Sequence, residues 1–318
     1  MPKQKNQLPH LDDFLLNLQT NSYSEKTIYN YERDLGVFLV WLQEESSKPF
    51  TGLQRRDIEL YKAYLVSRDR NTASGQTAPK RLNSYSINRM LSSFRTYLRF
   101  LIDNDYECPI NPQMVKLTKT AKTHPQVAEL ADIVRLIEYP TIAEKKDKKV
   151  ALRNRAILEV LFATGMRISE LISLNKNQID ATGRIFIEGK GRKQRFVYLT
   201  DRGKRHIQEY LATRNDKFPA LFIPYRGRHT KSGSDTRISP DYIQMKIKEY
   251  REALQINVPT SAHSLRHGFA TYLAESGANP AAIQILLGHE SLDTTTRYVN
   301  ASDRYAEKTH KKYHPLEK

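Results

Sequence analysis

Cysteine is nearly absent from this sequence: Cys108 is the only one in 318 residues. A lone thiol excludes an internal disulfide and any metal site assembled from several cysteines, and Cys108 is read as a small, half-buried apolar group. Long hydrophobic runs are missing as well. The apolar stretches at 36–42 and 156–164 fall far short of a membrane span. The opening segment, MPKQKNQLPHLDDF, has lysines but no apolar stretch of the kind that forms a secretory signal. No membrane partner is therefore expected, and the chain is expected to stay in the cytosol. Acidic residues are in deficit: 35 Asp and Glu face 51 Lys and Arg, a formal net charge of +16. Such an excess seeks a polyanion. Nucleic acid is the expected one, because neutralising phosphates releases condensed counterions and gives affinity that is independent of sequence. The rival, an anionic membrane surface, needs a hydrophobic anchor or a basic amphipathic helix that is not found here.

What is present is the composition of an ordinary globular protein, 39% hydrophobic and 27% charged, with enough apolar groups to offset the entropy of ordering. The length suits two domains. The first hundred residues show helical periodicity and no sustained alternation, which predicts an all-helical N-terminal bundle. Residues 8–18 form one amphipathic segment. Ser22 and Glu25 make a capping-box pattern ahead of Ile28, Tyr31, Leu35, Phe38, Leu39 and Leu42, and Thr51 with Gln54 repeats it before Ile58, Tyr61, Tyr64 and Leu65. Ser84 is placed to cap a fourth helix carrying Ile87, Leu91, Phe94, Leu98 and Leu101. Arg89, Arg95 and Arg99 lie between those apolar positions, with Lys80 and Arg81 just before them. They read as a DNA-facing edge or, alternatively, as a solvated face.

Residues 71–80 are small and polar, as in a surface loop. Pro109, Pro112 and Pro125 bracket the stretch KLTKTAKTH, so the domains are expected at 1–111 and 127–318 with a linker at 112–126. Beyond it the pattern is mixed. Helical segments are predicted at 132–138, 152–164, 169–174, 202–212, 239–254, 264–275, 280–287 and 303–311. A hairpin is predicted from strands 184–188 and 195–200 with GKGRK at the turn. The fold class expected is mainly α with a small β-sheet. No internal repeat is visible.

Four segments carry possible chemistry: ATGMRISEL around Arg167, IEGKGRKQR around Lys190, HSLRHGFAT around His263 and Arg266, and LLGHESLDTTTRYV around His289 and Tyr298. Each is weak alone, since one tyrosine of 18 is usually an ordinary aromatic and a lone histidine is usually structural. Jointly, in this order and spacing, they resemble the active-site boxes of the tyrosine recombinase (integrase) family. The Tyr298 box followed by a short C-terminal helix is similar to that of the Xer-type site-specific recombinases. The likeness runs over nearly the whole chain and is strongest at 163–315.

The resemblance implies a SAM-like, core-binding N-terminal bundle and a mixed catalytic domain held as a clamp on duplex DNA, four protomers (homo- or hetero-tetramer) on two sites, and no metal, nucleotide or other cofactor. It places Arg167, Lys190, His263, Arg266, His289 and Tyr298 in the family's catalytic positions. Those residue types suit the chemistry. Guanidinium forks grip the oxygens of a phosphodiester as charge grows in the transition state. A lysine can protonate the departing 5′-oxygen. Tyr298, with an ordinary pKa near 10, must be deprotonated or held by hydrogen bonds before it attacks, with help from His263 and nearby cations. His289 can donate to a non-bridging oxygen. The resulting 3′-phosphotyrosine conserves the bond energy, so rejoining needs no ATP. Arg192, in the hairpin turn, is a further candidate DNA contact.

Around these residues, His267 reads as a supporting structural histidine, and Glu170 as either a carboxylate orienting Arg167 or a surface ion pair. Gly268 stands where a small hydroxyl residue is common in the family. The stretches 71–80 and 225–237 look like insertions; the second, YRGRHTKSGSDTR, reads as a contact to DNA or a neighbouring subunit, or as a plain surface loop. The helix at 303–311 is too short to be stable alone. The Xer similarity implies a docking groove on a neighbouring protomer, the alternative being its own domain. Chromosome-dimer resolution and mobile-element integration both fit this site. A type IB topoisomerase, a non-enzymatic DNA-binding regulator and a metal hydrolase on His263, His267 and His289 are the remaining readings, the last without a carboxylate at ligand spacing.

Overall fold

The computed structural model describes residues 7–67, 71, 81–120, 126–188, 194–225, 236–288, 307 and 310–316. It divides into two units, Met1–Thr123 and His124–Lys318. As the sequence predicts, the protein is mainly helical with one small two-stranded sheet among the described residues.

The first unit is a helical bundle: α1 (Leu11–Thr20), α2 (Glu25–Glu44), α3 (Arg55–Val66) and α4 (Ser84–Asp103). The apolar positions of α4 named above, Ile87, Leu91, Phe94, Leu98 and Leu101, are all buried. Aromatic rings join the helices: Phe38 lies 4.1 Å from Phe94 and meets Tyr61 edge-on at 4.8 Å. Removing a ring from such a centre typically costs about 3–5 kcal/mol.

Three helix starts differ from the expected ones. Ser22 sits in the left-handed region at φ 61, and it is Ser24 that caps α2, accepting from Thr27 N at 3.2 Å. Gln54 is itself the N-cap of α3, and its backbone N donates to Asp57 Oδ2 at 2.7 Å. Asn83, not Ser84, caps α4 by accepting from Ser86 N at 2.8 Å. In each case a neighbouring side chain can cap equally well, and the exact register depends on how the preceding turn enters the helix.

The expected linker is also shorter on its N-terminal side. Val115 is fully buried in the first unit's core, and Thr118 N donates to Asn88 Oδ1 at 2.8 Å while Asn88 Nδ2 returns a bond to Thr118 O at 2.9 Å. A polar, proline-flanked stretch reads as linker, yet here one apolar side chain and one asparagine hold it.

The second unit is organised on α7 (Lys148–Thr164), which begins at an Asp147 cap and is buried nearly all round, as a central core helix must be. Around it lie α5 (Leu130–Glu138), α6 (Pro140–Ala143), α8 (Ile168–Ser173), α9 (Asp201–Leu211), α10 (Pro240–Ala253), α11 (Ala262–Glu275) and α12 (Pro280–Leu287). Glu159 of α7 is fully buried and held by Arg155 Nη2 at 2.8 Å and Arg202 Nε of α9 at 2.7 Å. The sheet is the predicted hairpin, β1 (Arg184–Glu188) antiparallel to β2 (Gln194–Tyr198), with Ile185, Ile187 and Val197 turned inward. β2 stops two residues early because Thr200 becomes the cap of α9, accepting from Gly203 N at 3.0 Å.

Residues 310–313 form a helical turn. His310 and His314 are fully buried, and their Nε2 atoms donate to Ala163 O at 2.7 Å and Phe162 O at 3.3 Å. These carbonyls belong to the last turn of α7, where no intrahelical donor exists. Residues 310–314 therefore pack on the second unit of the same chain.

Candidate active site

Gly165 ends α7 in the left-handed conformation at φ +61, and a Cβ there would stand 2.4 Å from Phe269 Cδ1. Only glycine permits that turn. It delivers Arg167 to the start of α8, where its backbone N donates to Glu170 Oε2 at 2.7 Å and its Nη1 to Oε1 at 3.0 Å. Glu170 is 5% exposed, so it is no surface ion pair. Burial alone would raise its pKa, but hydrogen bonds from Arg195 and Arg167 hold the carboxyl below its ordinary value.

Arg266, on α11, is 5% exposed. Its Nη1 donates to Gly165 O at 2.8 Å and its Nη2 to Leu287 O at 2.7 Å. That single guanidinium ties the turn before Arg167 to the end of α12. Burial, together with the charges of Arg167 and Arg195, lowers its pKa to about 10, with Glu170 opposing. Among the described residues it has no ion-pair partner. Three guanidiniums thus gather around one carboxylate, leaving positive charge uncompensated.

His263 lies one turn before Arg266, and its Nε2 is 2.9 Å from Nε2 of His267. One ring must donate and the other accept, so His267 is the direct partner of His263. Burial, His267 and the two arginines Arg266 and Arg167 all hold His263 below its ordinary pKa, favouring the neutral imidazole. No group of three or more His, Cys, Asp or Glu among the described residues is arranged to hold a metal ion. A Cβ at Gly268 would lie 3.1 Å from Ile133 Cδ1, so a larger residue there would require Ile133 to move.

Lys190, Arg192, His289, Tyr298 and Lys80 lie outside the described residues, as does most of the 225–237 stretch. Of that stretch, Arg237 is anchored, donating to Ile172 O and Leu174 O at 3.1 Å and to Asn175 Oδ1 at 2.7 Å. The arginines on and just before α4 divide. Arg81 and Arg99 are exposed. Arg89 instead pairs with buried Asp34 at 2.7 Å, and Arg95 donates to Val115 O. Burial raises the Asp34 pKa against the pull of Arg89, Ser93 and Arg33. Arg195 is the residue that sequence reasoning missed. Its signal was its register: it pairs with Ile187 on the inward face of β2, a charged side chain where the alternation calls for an apolar one.

No helix among the described residues is long and apolar enough to cross a membrane. Comparison with known proteins gives a consistent result. Tyrosine recombinase XerD of Staphylococcus haemolyticus is 28% identical over 300 residues, covering 92% of this chain and 93% of that protein. Tyrosine recombinase XerC of Leptospira interrogans is 29% identical over 298 residues, covering 92% and 89%. The fold is shared with the solved structure of the XerH site-specific recombinase bound to its difH substrate in a pre-cleavage complex, with a TM-score of 0.64 and 18% identity over 97% of this chain and 90% of that one. The sequence profile of the phage integrase N-terminal SAM-like domain matches residues 11–105, and that of the Phage integrase family matches residues 128–304. The chain belongs to the phage integrase family.

Proposed function

We propose that this protein is a site-specific tyrosine recombinase of the Xer type, which cuts and rejoins duplex DNA through a covalent 3′-phosphotyrosyl intermediate. The observation that carries this reading is the buried guanidinium of Arg266, near Arg167 and without an ion-pair partner among the described residues: a site with cations in excess. In this reading Arg167 and Arg266 grip the non-bridging oxygens of the scissile phosphate. Loss of one such charge-stabilising donor typically costs a factor of 10²–10³ in rate. His263 is the base that assists Tyr298, its neutral form favoured by burial and by the surrounding cations. Lys190 protonates the leaving 5′-oxygen, and His289 donates to the phosphate.

Tyr298 attacks phosphorus, the bond to the 5′-oxygen breaks, and that oxygen takes the proton from Lys190; the reverse reaction with a second strand's 5′-hydroxyl restores both residues. The partners are a double-stranded recombination site and further protomers, four on two sites, passing through a Holliday junction. The relatives' Xer names favour chromosome-dimer resolution, which would place the protein in the cytoplasm at the nucleoid. A nicked suicide substrate tests the reading: a covalent protein–DNA adduct and Holliday junctions are expected, and relaxation of supercoils without strand exchange would identify a topoisomerase instead. Sequencing the adducted DNA would give the target site.

A further inference from the structure

Within the recombinase reading, on which this inference rests, Arg195 is used by no catalytic step. It sits on β2 with 7% of its surface exposed, and all of its guanidinium nitrogens are engaged. Nη1 donates to Glu170 Oε1 at 2.9 Å, Nη2 to Glu170 Oε2 at 2.7 Å, and Nε to Leu286 O at 2.9 Å. Through Glu170 it reaches both the backbone and the side chain of Arg167. Through Leu286 it holds the last turn of α12, whose next carbonyl, Leu287 O, is taken by Arg266. Gly288 closes against it in the left-handed conformation at φ +63, and a Cβ there would lie 2.9 Å from Arg195 Cδ and 3.1 Å from its Nη1. His289 is the next residue.

We propose that Arg195 is a positioning residue: it binds the Arg167 turn, the Arg266 helix and the end of α12 into one rigid cradle for the phosphate, without touching the phosphate itself. The geometry requires a planar fork with donors on three sides. A lysine ammonium reaches one carboxylate but cannot bridge to a carbonyl on another element in the same plane. A stability role alone does not account for it, since a buried Arg–Glu pair can usually be exchanged for uncharged groups of similar volume without loss of stability. The contacts run to the phosphate-gripping residues, whereas the hairpin that bears Lys190 is held by its own backbone ladder.

The test uses the full chain and the nicked suicide substrate. Arg195→Lys and Arg195→Met should slow adduct formation on the order of 100-fold, as for a misplacement of about 1 Å, while DNA affinity changes little. Because Arg195→Met strands the Glu170 charge, the double variant Glu170→Gln/Arg195→Met is needed: its melting temperature should return toward that of the parent while its rate does not. A substrate with sulfur at the bridging 5′ position, which leaves without protonation, should not restore the rate. Recovery of rate along with melting temperature, rescue by sulfur, or a loss of affinity matching the loss of rate would each overturn the proposal. A parental chain that forms no adduct overturns the recombinase reading and this inference with it, whereas an active parent with unimpaired Arg195 variants overturns the inference alone.

Discussion

The Nε2–H of His310 points at the carbonyl of Ala163, 2.7 Å away, at the end of α7. His314 stands one turn further on against Phe162, and the two rings lie 4.9 Å apart with Phe269 beside both. Burial holds His310 down to about 4, and burial with the charge of His310 holds His314 well below its ordinary value.

A pH dependence of the tail follows. Free histidine titrates near 6.5, so the released tail takes up protons before the docked one. The docked state is at full strength above about pH 6.5 and weakens as pH falls toward 4, by roughly 1.4 kcal/mol per histidine for each pH unit. Protection factors at residues 310–316, corrected for the slower intrinsic exchange at low pH, should therefore fall strongly between pH 7 and pH 5, and a His310→Leu/His314→Leu variant should lose that dependence. Equal protection at both values would contradict the buried, neutral pair.

The nucleophile is tested by deleting one oxygen. Tyr298→Phe should bind DNA nearly as the parent does and form no covalent adduct on a nicked substrate. An adduct that persists would move the nucleophile to another tyrosine, with Tyr305 and Tyr313 the nearest candidates.

Leaving-group protonation can be separated from phosphate binding. Lys190→Ala should slow cleavage by about 10²–10⁴, and a bridging 5′ sulfur should restore it. Arg266→Ala should be slow on both substrates, since its hydrogen bonds and charge serve the phosphate. If sulfur rescues both variants or neither, Lys190 is not the acid.

Salt dependence follows from the net charge of +16. Each neutralised phosphate contributes a slope of about −0.9 to log K against log salt, so about 6–10 contacts should lower affinity by some 10³–10⁵ between 50 and 200 mM. Filter binding across that range would show a flat line if the charge were not used on DNA.

What the sequence made legible was the periodic and the local. The α4 stripe and the hairpin follow from spacing and residue type, and Arg167, His263 and Arg266, far apart in the chain, lie near one another. Pairings across long separations were not legible. Arg89 looks like a solvated charge until Asp34, 55 residues earlier, is brought under it. Glu170 could be assigned to Arg167 by spacing, but its second partner, Arg195, lies 25 residues on. His310 and His314 occur in a polar tail without apolar periodicity, and only the exposed carbonyls at the end of α7 explain their burial.

The end of α12 also shapes the electrostatic field met by incoming DNA. A helix C-terminus carries partial negative charge on its last carbonyls and would repel a nearby phosphate by roughly 0.3–1 kcal/mol. Here Arg195 covers Leu286 O and Arg266 covers Leu287 O; the charge of Arg195 is matched by Glu170, so the positive charge left at the tip is that of Arg266. The backbone that leads to Gly288 thereby shows a polyanion a cation in place of bare carbonyls, and it is the loss of Arg266 that would uncover a repulsive tip.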